Sequence, residues 1–384
     1  MYRLKDIIDT TPLKGRLIVG AAEDIVAAVL PCEKVLVAAL EADYLFNGIN
    51  IKNLLESKGI GVSALSLDDC SFSGFDGDCL TGFDCIVAVG ERAIIDFARH
   101  FAADKRIVFV PTTLNFYYAF SPLITDTSDG LIKTEKAKLP DKVLFDAGII
   151  KRLKLKHLAD GFSVVASSAF WKFDYAVGCL VKGETDDASP FIDGALAALK
   201  GLQAKPYETI IKCQIFLAAA VYNAPDIDFC ADRYTAHVLS AIKDLPYAEC
   251  RFFAVGYIIK FYERALKKDI SLNLIAPDYN KTIKELADVL KISENVVYDA
   301  YEPLPEDACY QGLKKAYESG AYEKAVETGR LIDNYKKVYD TIYKGRHRRV
   351  DVEKRTAVKA MTLAALSSNG LLRLFADNGI TGLL

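Results

Sequence analysis

Over its first 150 residues the chain alternates short β-branched runs with stretches of helical periodicity. "RLIVG" (16–20) precedes "AAEDIVAAVL", and "KVLVAAL" (34–40) precedes "YLFNGINIKNLLESKG". "GVSALSL" (61–67) leads through a polar loop to "CIVAVG" (85–90) and a helix from Ala93, followed by "RIVFVPTT" (106–113). "KVLFDAG" (142–148) reads as one more strand. Strand–helix alternation with a glycine at the turn predicts a parallel sheet covered on both faces. Ligands of such sheets bind at the carboxyl ends of the strands, where Gly20, Asp43, Gly90, Thr112 and Thr113 fall.

From residue 151 the pattern becomes helical. "GFSVVASSAFWKFDYAVGCLV", "PFIDGALAALKGL", "ETIIKCQIFLAAAVYNA", "DRYTAHVLSAIKD" and "CRFFAVGYIIKFYERALKK" are broad apolar helices with polar breaks. "KTIKELADVLKI", "CYQGLKKAYESG" and "KRTAVKAMTLAALSSNGLLRLF" continue the series. The expected architecture is a Rossmann-like α/β domain over 1–150 followed by an all-α domain over 151–384. A cleft between them is the expected site.

Composition narrows the function classes. At 384 residues the chain is too long for one ordinary core. With 51% apolar and 26% charged residues it is globular rather than disordered. A net charge of −3 gives no general attraction to nucleic acid or to an anionic membrane, and neither is expected as a partner. "IFLAAAVY" (215–222), among the longest apolar runs, is far short of a membrane span. "MYRLKDIIDTTPLKG" lacks the apolar core of a signal peptide. The nine cysteines are scattered with no CxxC pair, which points to a reduced, cytoplasmic protein without a zinc-ribbon site. "GRHRRVDVEKRTAVK" (345–359) concentrates positive charge; a solvated face is the first reading and an anion site the second.

The stretch "DCIVAVGERAIIDFARHF" (84–101) carries the sharpest chemistry. A buried strand, Gly90, and then a helix is where α/β proteins hold a phosphate on free N–H groups. Phosphate loops normally show further glycines, whereas here Glu91 and Arg92 follow. Glu91 places negative charge at the phosphate seat. Arg92 either meets a phosphate or pairs with Glu91 or Asp96. The alternative for Gly90 is a plain strand-to-helix turn. Thr112 and Thr113 contact a nucleotide or cap the next segment.

These motifs in this order resemble the superfamily of dehydroquinate synthase, glycerol dehydrogenase and iron-containing alcohol dehydrogenase. "VGERAIID" (89–96) at the turn and "PTTLNFYYAFSP" (111–122), with Ser121-Pro122 a fixed interval after the Pro-Thr, are closest to the glycerol-1-phosphate dehydrogenase branch. "LADGFSVVASSAFWKFDYAV" (158–177) is similar to the first helix of that family's helical domain, with Gly161 and Asp174 at matching spacing. The resemblance implies NAD or NADP on the sheet domain, near Gly90, Glu91, Arg92, Asp43, Thr112, Thr113 and Ser121. It also implies one divalent metal in the helical domain, held by a carboxylate and two histidines.

The metal motif does not carry over. The carboxylate position falls on Val164, the first histidine on Arg233 and the last on Glu249. Valine cannot coordinate and arginine opposes a cation, so no family-type metal is expected. The remaining histidines are His100, His157, His237 and His347. His237 matches a non-ligand histidine of the family and reads either as a hydrogen-bonded core residue or as a catalytic group. Arg233 and Glu249 are expected to face each other as a salt bridge, or Arg233 to bind a substrate anion directly. Tyr117 falls where the dehydrogenases carry a substrate-side aspartate. Three functions remain open: a divergent protein binding a nucleotide or phosphorylated small molecule, an active NAD(P)-dependent polyol-phosphate oxidoreductase, with or without metal, drawing on Arg233, His237, Glu249 or Tyr117, and a non-catalytic scaffold or partner protein, with homo-oligomers allowed.

Overall fold

A computed structural model describes residues 2–301 and 352–366, apart from 73–74, 128, 154–160, 162, 166, 169–170, 172–173, 176–178, 180–184, 186, 202–203, 225–230, 246 and 266–277. His157, His347, "CYQGLKKAYESG" and residues 345–351 of the basic run lie outside the described residues. Two compact units divide the chain. The first comprises Met1–Ser128, Lys133–Gly161 and Ala197–Pro225; the second comprises Asp129–Ile132, Phe162–Leu196 and Asp226–Leu384.

The first unit is built on a six-stranded sheet of β1 (Leu17–Gly20), β2 (Lys34–Leu40), β3 (Gly61–Leu67), β4 (Cys85–Gly90), β5 (Arg106–Pro111) and β8 (Lys142–Asp146). Its order is β1-β8-β5-β4-β2-β3 and every pairing is parallel. β6 (Leu123–Asp126) and β7 (Lys133–Lys136) form a separate antiparallel hairpin. Position in the sheet explains the strand patterns. Central β4, "CIVAVG", is buried at every residue, as a strand covered on both faces must be. Edge strand β3, "GVSALSL", has no buried residue and keeps polar side chains.

Helices α1 (Tyr2–Asp9), α2 (Asp24–Val29), α3 (Ile49–Glu56), α4 (Arg92–Phe101) and α5 (Ala147–Lys151) connect and flank these strands. Asp146 starts α5, its Oδ1 accepting from the backbone N–H groups of Gly148 (2.6 Å) and Ile149 (3.3 Å). After α6 (Ser189–Ala198), α7 (Pro206–Asn223) returns to the first unit, entered through a proline at its start. Buried Gln214 of α7 accepts from the N–H groups of Phe116 (3.2 Å) and Tyr117 (3.3 Å), which fixes the 3₁₀ turn Tyr117–Phe120. Gly161 is required at its position, since a Cβ there would lie 2.8 Å from Leu114 Cβ and 3.1 Å from Ile210 Cγ2.

The described part of the second unit is helical, with α8 (Ala231–Lys243), α9 (Tyr247–Ala265), α10 (Tyr279–Leu290), α11 (Glu294–Ala300) and α12 (Lys354–Ala364). Asp278 and Ser293 cap α10 and α11 through backbone N–H groups of Lys281 (3.1 Å) and Asn295 (3.3 Å). The architecture is therefore a parallel α/β sheet followed by a helical region. No described helix is long and apolar enough to cross a membrane.

Candidate functional site

The sheet reverses direction at β2. The chain runs outward from β2 to β3, then returns to the other side of β2 to form β4. Such a switch point opens a crevice at the carboxyl edge, where open parallel sheets bind ligands. Asp43 follows β2 and Gly90 ends β4, so both lie at this crevice. Gly90 has φ +147, a conformation that side chains rarely adopt. A Cβ there would stand 2.9 Å from Ile94 Cγ2 and 3.0 Å from Asp43 Oδ2. The Asp43 carboxylate thus lies against the glycine, and only glycine leaves room for it. The π-helical turn Tyr44–Gly48 comes next and exposes Leu45 (59%) and Phe46 (75%).

The helix that leaves Gly90 is less hospitable to phosphate. Glu91, at the start of α4, is exposed and makes no capping hydrogen bond. Arg92 is engaged within the protein: Nε donates to Asp96 Oδ2 (2.9 Å) and Nη2 to Thr125 Oγ1 (2.6 Å). Its guanidinium lies 5.5 Å from the centre of the Tyr118 ring. Of the partners open to Arg92, Asp96 is the one it takes. Asp96 Oδ2 also accepts from Thr125 N (3.0 Å), and Arg99 Nη1 approaches Oδ1 at 3.8 Å. Burial lowers the Arg99 pKa to about 10, with Asp96 opposing that shift. The buried Tyr118 phenol is raised well above its ordinary value, first by burial and then by Glu91 and Asp96.

The neighbouring polar residues serve the fold. Thr112 N donates to Gly90 O (3.0 Å), tying β5 to the crevice. Thr113 Oγ1 donates to Asn115 O (3.2 Å) and accepts from Asn115 N (3.4 Å), a local turn. Ser121 Oγ accepts from Leu123 N (3.1 Å), and its carbonyl accepts from Arg99 Nη2 (2.8 Å). Tyr117 is buried in the turn held by Gln214. Of the residues expected near a cofactor, Asp43, Gly90 and the Thr112 backbone come together. Arg92 and Ser121 join the Asp96–Arg99 network instead.

In the second unit, Val164 is fully buried, its carbonyl accepting from Ser167 Oγ (2.6 Å). Arg233 is buried on α8, its Nη2 donating to Tyr234 OH (3.2 Å) with the guanidinium 4.9 Å from that ring's centre. Glu249 is exposed in the first turn of α9. The expected Arg233–Glu249 salt bridge is not formed. Among the described residues, a buried ion pair joins these helices between Arg251 Nε and Asp232 Oδ2, 2.7 Å apart, with side chains 9% and 0% exposed. Each partner is close in sequence to the expected one but points from a different face, as the 100° turn per helical residue requires.

His237 lies one turn after Arg233 on α8. Its Nε2–H donates to Gly130 O (2.8 Å), since a carbonyl only accepts. Burial lowers its pKa below 6.5, so the ring is neutral at neutral pH. The hydrogen-bonded reading of this histidine therefore describes its environment.

The donors do not suit the metal that the resemblance implies. At the positions to which the resemblance maps its ligands stand an apolar valine, a stacked cation and a solvent-facing carboxylate. Among the described residues no group of three or more His, Cys, Asp or Glu side chains could hold a metal ion. A dinucleotide fits in part: the Gly90 cradle and Asp43 suit a ribose, while Glu91 opposes a pyrophosphate. Sequence reasoning missed Gln214, Thr125, Asp232 and Arg251. The spacing of Arg92 and Asp96, four residues apart, was the one local signal of these networks.

No family model matches the sequence, and no curated protein matches it either. Solved structures do. Glycerol dehydrogenase from Schizosaccharomyces pombe aligns with TM-score 0.54 and 14% identity over 88% of this chain and 94% of that one. A mutant alcohol dehydrogenase from a halo-thermophilic archaeon of a Red Sea brine pool aligns with TM-score 0.59 and 13% identity, over 96% and 97% of the two chains. Maleylacetate reductase from Agrobacterium tumefaciens gives TM-score 0.52 and 17% identity over 83% and 96%. The chain thus has the dehydroquinate synthase-like fold of glycerol dehydrogenases, iron-containing alcohol dehydrogenases and maleylacetate reductases.

Proposed function

We propose that this protein is a divergent relative of the glycerol-1-phosphate dehydrogenase and dehydroquinate synthase group that binds a nucleotide at the β2–β4 crevice and lacks metal-dependent hydride transfer. The single observation that carries the reading is the contrast between two sets of positions. The crevice keeps a glycine that only glycine can fill, with a carboxylate against it. The metal positions hold Val164, a stacked Arg233 and an exposed Glu249.

Asp43 sets the cofactor preference. A carboxylate after the second strand accepts from a ribose 2′-hydroxyl and repels a 2′-phosphate, which favours NAD over NADP. Glu91 weakens both by facing the pyrophosphate, with Arg92 already engaged by Asp96. The names of the similar structures, dehydrogenases and a reductase, support an oxidoreductase ancestry. The test is thermal unfolding with NAD, NADP and glycerol 1-phosphate, each with and without zinc. Ligand at a hundred times its dissociation constant stabilises by about 2.7 kcal/mol. NAD is expected to raise the melting temperature more than NADP, and zinc to change nothing. Chelator-sensitive oxidation of glycerol 1-phosphate would sink the proposal.

A second reading, metal-free oxidation with His237 as proton acceptor, has one observation in its favour. The ring is neutral and its Nε2–H is fixed on the Gly130 carbonyl, so Nδ1 is the acceptor nitrogen. Steady NADH formation from a polyol phosphate that disappears in His237→Asn would support it; absence of NAD binding would end it.

A further inference from the structure

We infer that the free edge of β3 seats a second copy of this chain, joined by antiparallel strand pairing across a twofold axis.

The parallel sheet ends in two edge strands, β1 and β3. β1 has only four residues, and Arg16 stands directly before it. In the separate hairpin, β7 reads KTEK and is charged at three of its four positions. Short strands and charges of this kind keep an edge from pairing with other chains. β3 has neither protection. Its seven residues, GVSALSL, include no charge and no proline. They pair with β2 in unbroken register from Gly61 to Leu67, so no bulge turns the strand away. Among the described residues β2 is its one strand partner. Gly61, Ser63, Ala64 and Ser66 are exposed. Alternate residues of β3 thus direct their backbone N–H and C=O groups away from β2, where another strand can take them.

The chemistry at the two ends of β3 selects the occupant. Exposed Lys58 lies shortly before the strand, and exposed Asp68 and Asp69 directly follow it. Glu56, the nearest acid before the strand, is held by Lys52 at 2.6 Å. A copy related by a twofold axis runs antiparallel, so pairing centred on Ala64 brings Lys58 of each copy beside Asp68 and Asp69 of the other. The attraction occurs twice. A parallel mate in register would instead set lysine against lysine and aspartate against aspartate. Within the strands the antiparallel register places Ala64 opposite Ala64, Ser63 opposite Leu65 and Val62 opposite Ser66, all uncharged pairs. Partly buried Leu54, Ile60 and Val62 pack on the core at this end of the sheet and extend the contact beyond the backbone.

The experiment is analytical ultracentrifugation of the full-length chain under reducing conditions, as wild type, Ala64→Lys, Ala64→Glu and Lys58→Glu, with Ala64→Ser as control. Wild type is expected at twice the 42.3 kDa of one chain. Ala64→Lys and Ala64→Glu each set like charges across the axis and are expected to raise the dissociation constant roughly tenfold or more. Mixing these two variants restores the dimer. Lys58→Glu is expected to raise it about threefold, because both ion pairs are exposed, and Ala64→Ser to leave it unchanged. Under mild oxidation Ala64→Cys is expected to give a covalent dimer whose bridge joins position 64 of both copies, since directly opposed antiparallel residues lie within disulfide reach.

A wild type that stays monomeric at every concentration would overturn the inference. So would a dimer whose affinity Ala64→Lys leaves unchanged, or one that yields no bridge between the two positions 64. If Ala64→Lys does not fold, the cysteine bridge decides alone.

Discussion

Each unit buries a carboxylate beside arginine, and the two do so differently. Asp96 in the first unit is served by Arg92 Nε, by the Thr125 backbone N–H and, at longer range, by Arg99. Arg99 in turn donates to the carbonyls of Lys138, Ser121 and Ala137. Asp232 in the second unit pairs with Arg251 of the next helix. The first is a network that knits α4 to the β6–β7 hairpin. The second joins one helix to one other. A network built partly on main chain survives the loss of a member, because the remaining partners still satisfy the buried charge.

The largest expected effect tests the network at its centre. Asp96→Ala leaves the wholly buried Arg99 and the partly buried Arg92 without their carboxylate, and should cost roughly 3–5 kcal/mol in denaturant unfolding. Arg92→Ala should cost far less, since Thr125 N and Arg99 still serve Asp96; equal losses would mean that the network behaves as a simple pair. Next in size is Gly90→Ala. A side chain at φ +147, pressed on Ile94 and Asp43, should cost about 1–3 kcal/mol and abolish the ligand-induced thermal shift.

Smaller still is Glu91→Gly. Stability should change little, because Glu91 is exposed and caps nothing, while NAD affinity by calorimetry should rise roughly tenfold. Unchanged affinity would separate Glu91 from the phosphate seat. The smallest effect is a pH dependence in the second unit. His237 has its folded pKa lowered by burial, so the unfolded chain binds the proton more readily. Its contribution is present above the unfolded value near 6.5 and is lost as pH falls through the lower folded value. His237→Gln should flatten the loss of melting temperature below pH 6.5, and an identical acid profile would rule His237 out as its source.

Much of the first unit was legible because its signals are local. Runs such as "CIVAVG" and "RIVFVP" mark strands buried on both faces, and the break after Gly90 marks the turn. The β6–β7 hairpin escaped notice, since "LITD" and "KTEK" are short and mostly polar. The return of α7 to the sheet unit had no sequence signal either. Its role depends on Gln214 meeting the backbone of Phe116 and Tyr117, far away along the chain.

The candidate site divides in the same way. The residue types that follow Gly90 and that stand at 164 and 233 could be read directly, because a residue type either has the donor that a ligand needs or lacks it. The residue type at 233 or 249 says nothing about which way it points. Arg233 turned onto Tyr234, Glu249 faced solvent, and their neighbours Asp232 and Arg251 formed the ion pair. By itself the sequence determined the strands of the parallel sheet, the helical region after them and the chemistry that this chain can offer. Only the tertiary structure decided which charges are buried together, because partners far apart in sequence meet according to helix rotation and packing, which no local pattern encodes.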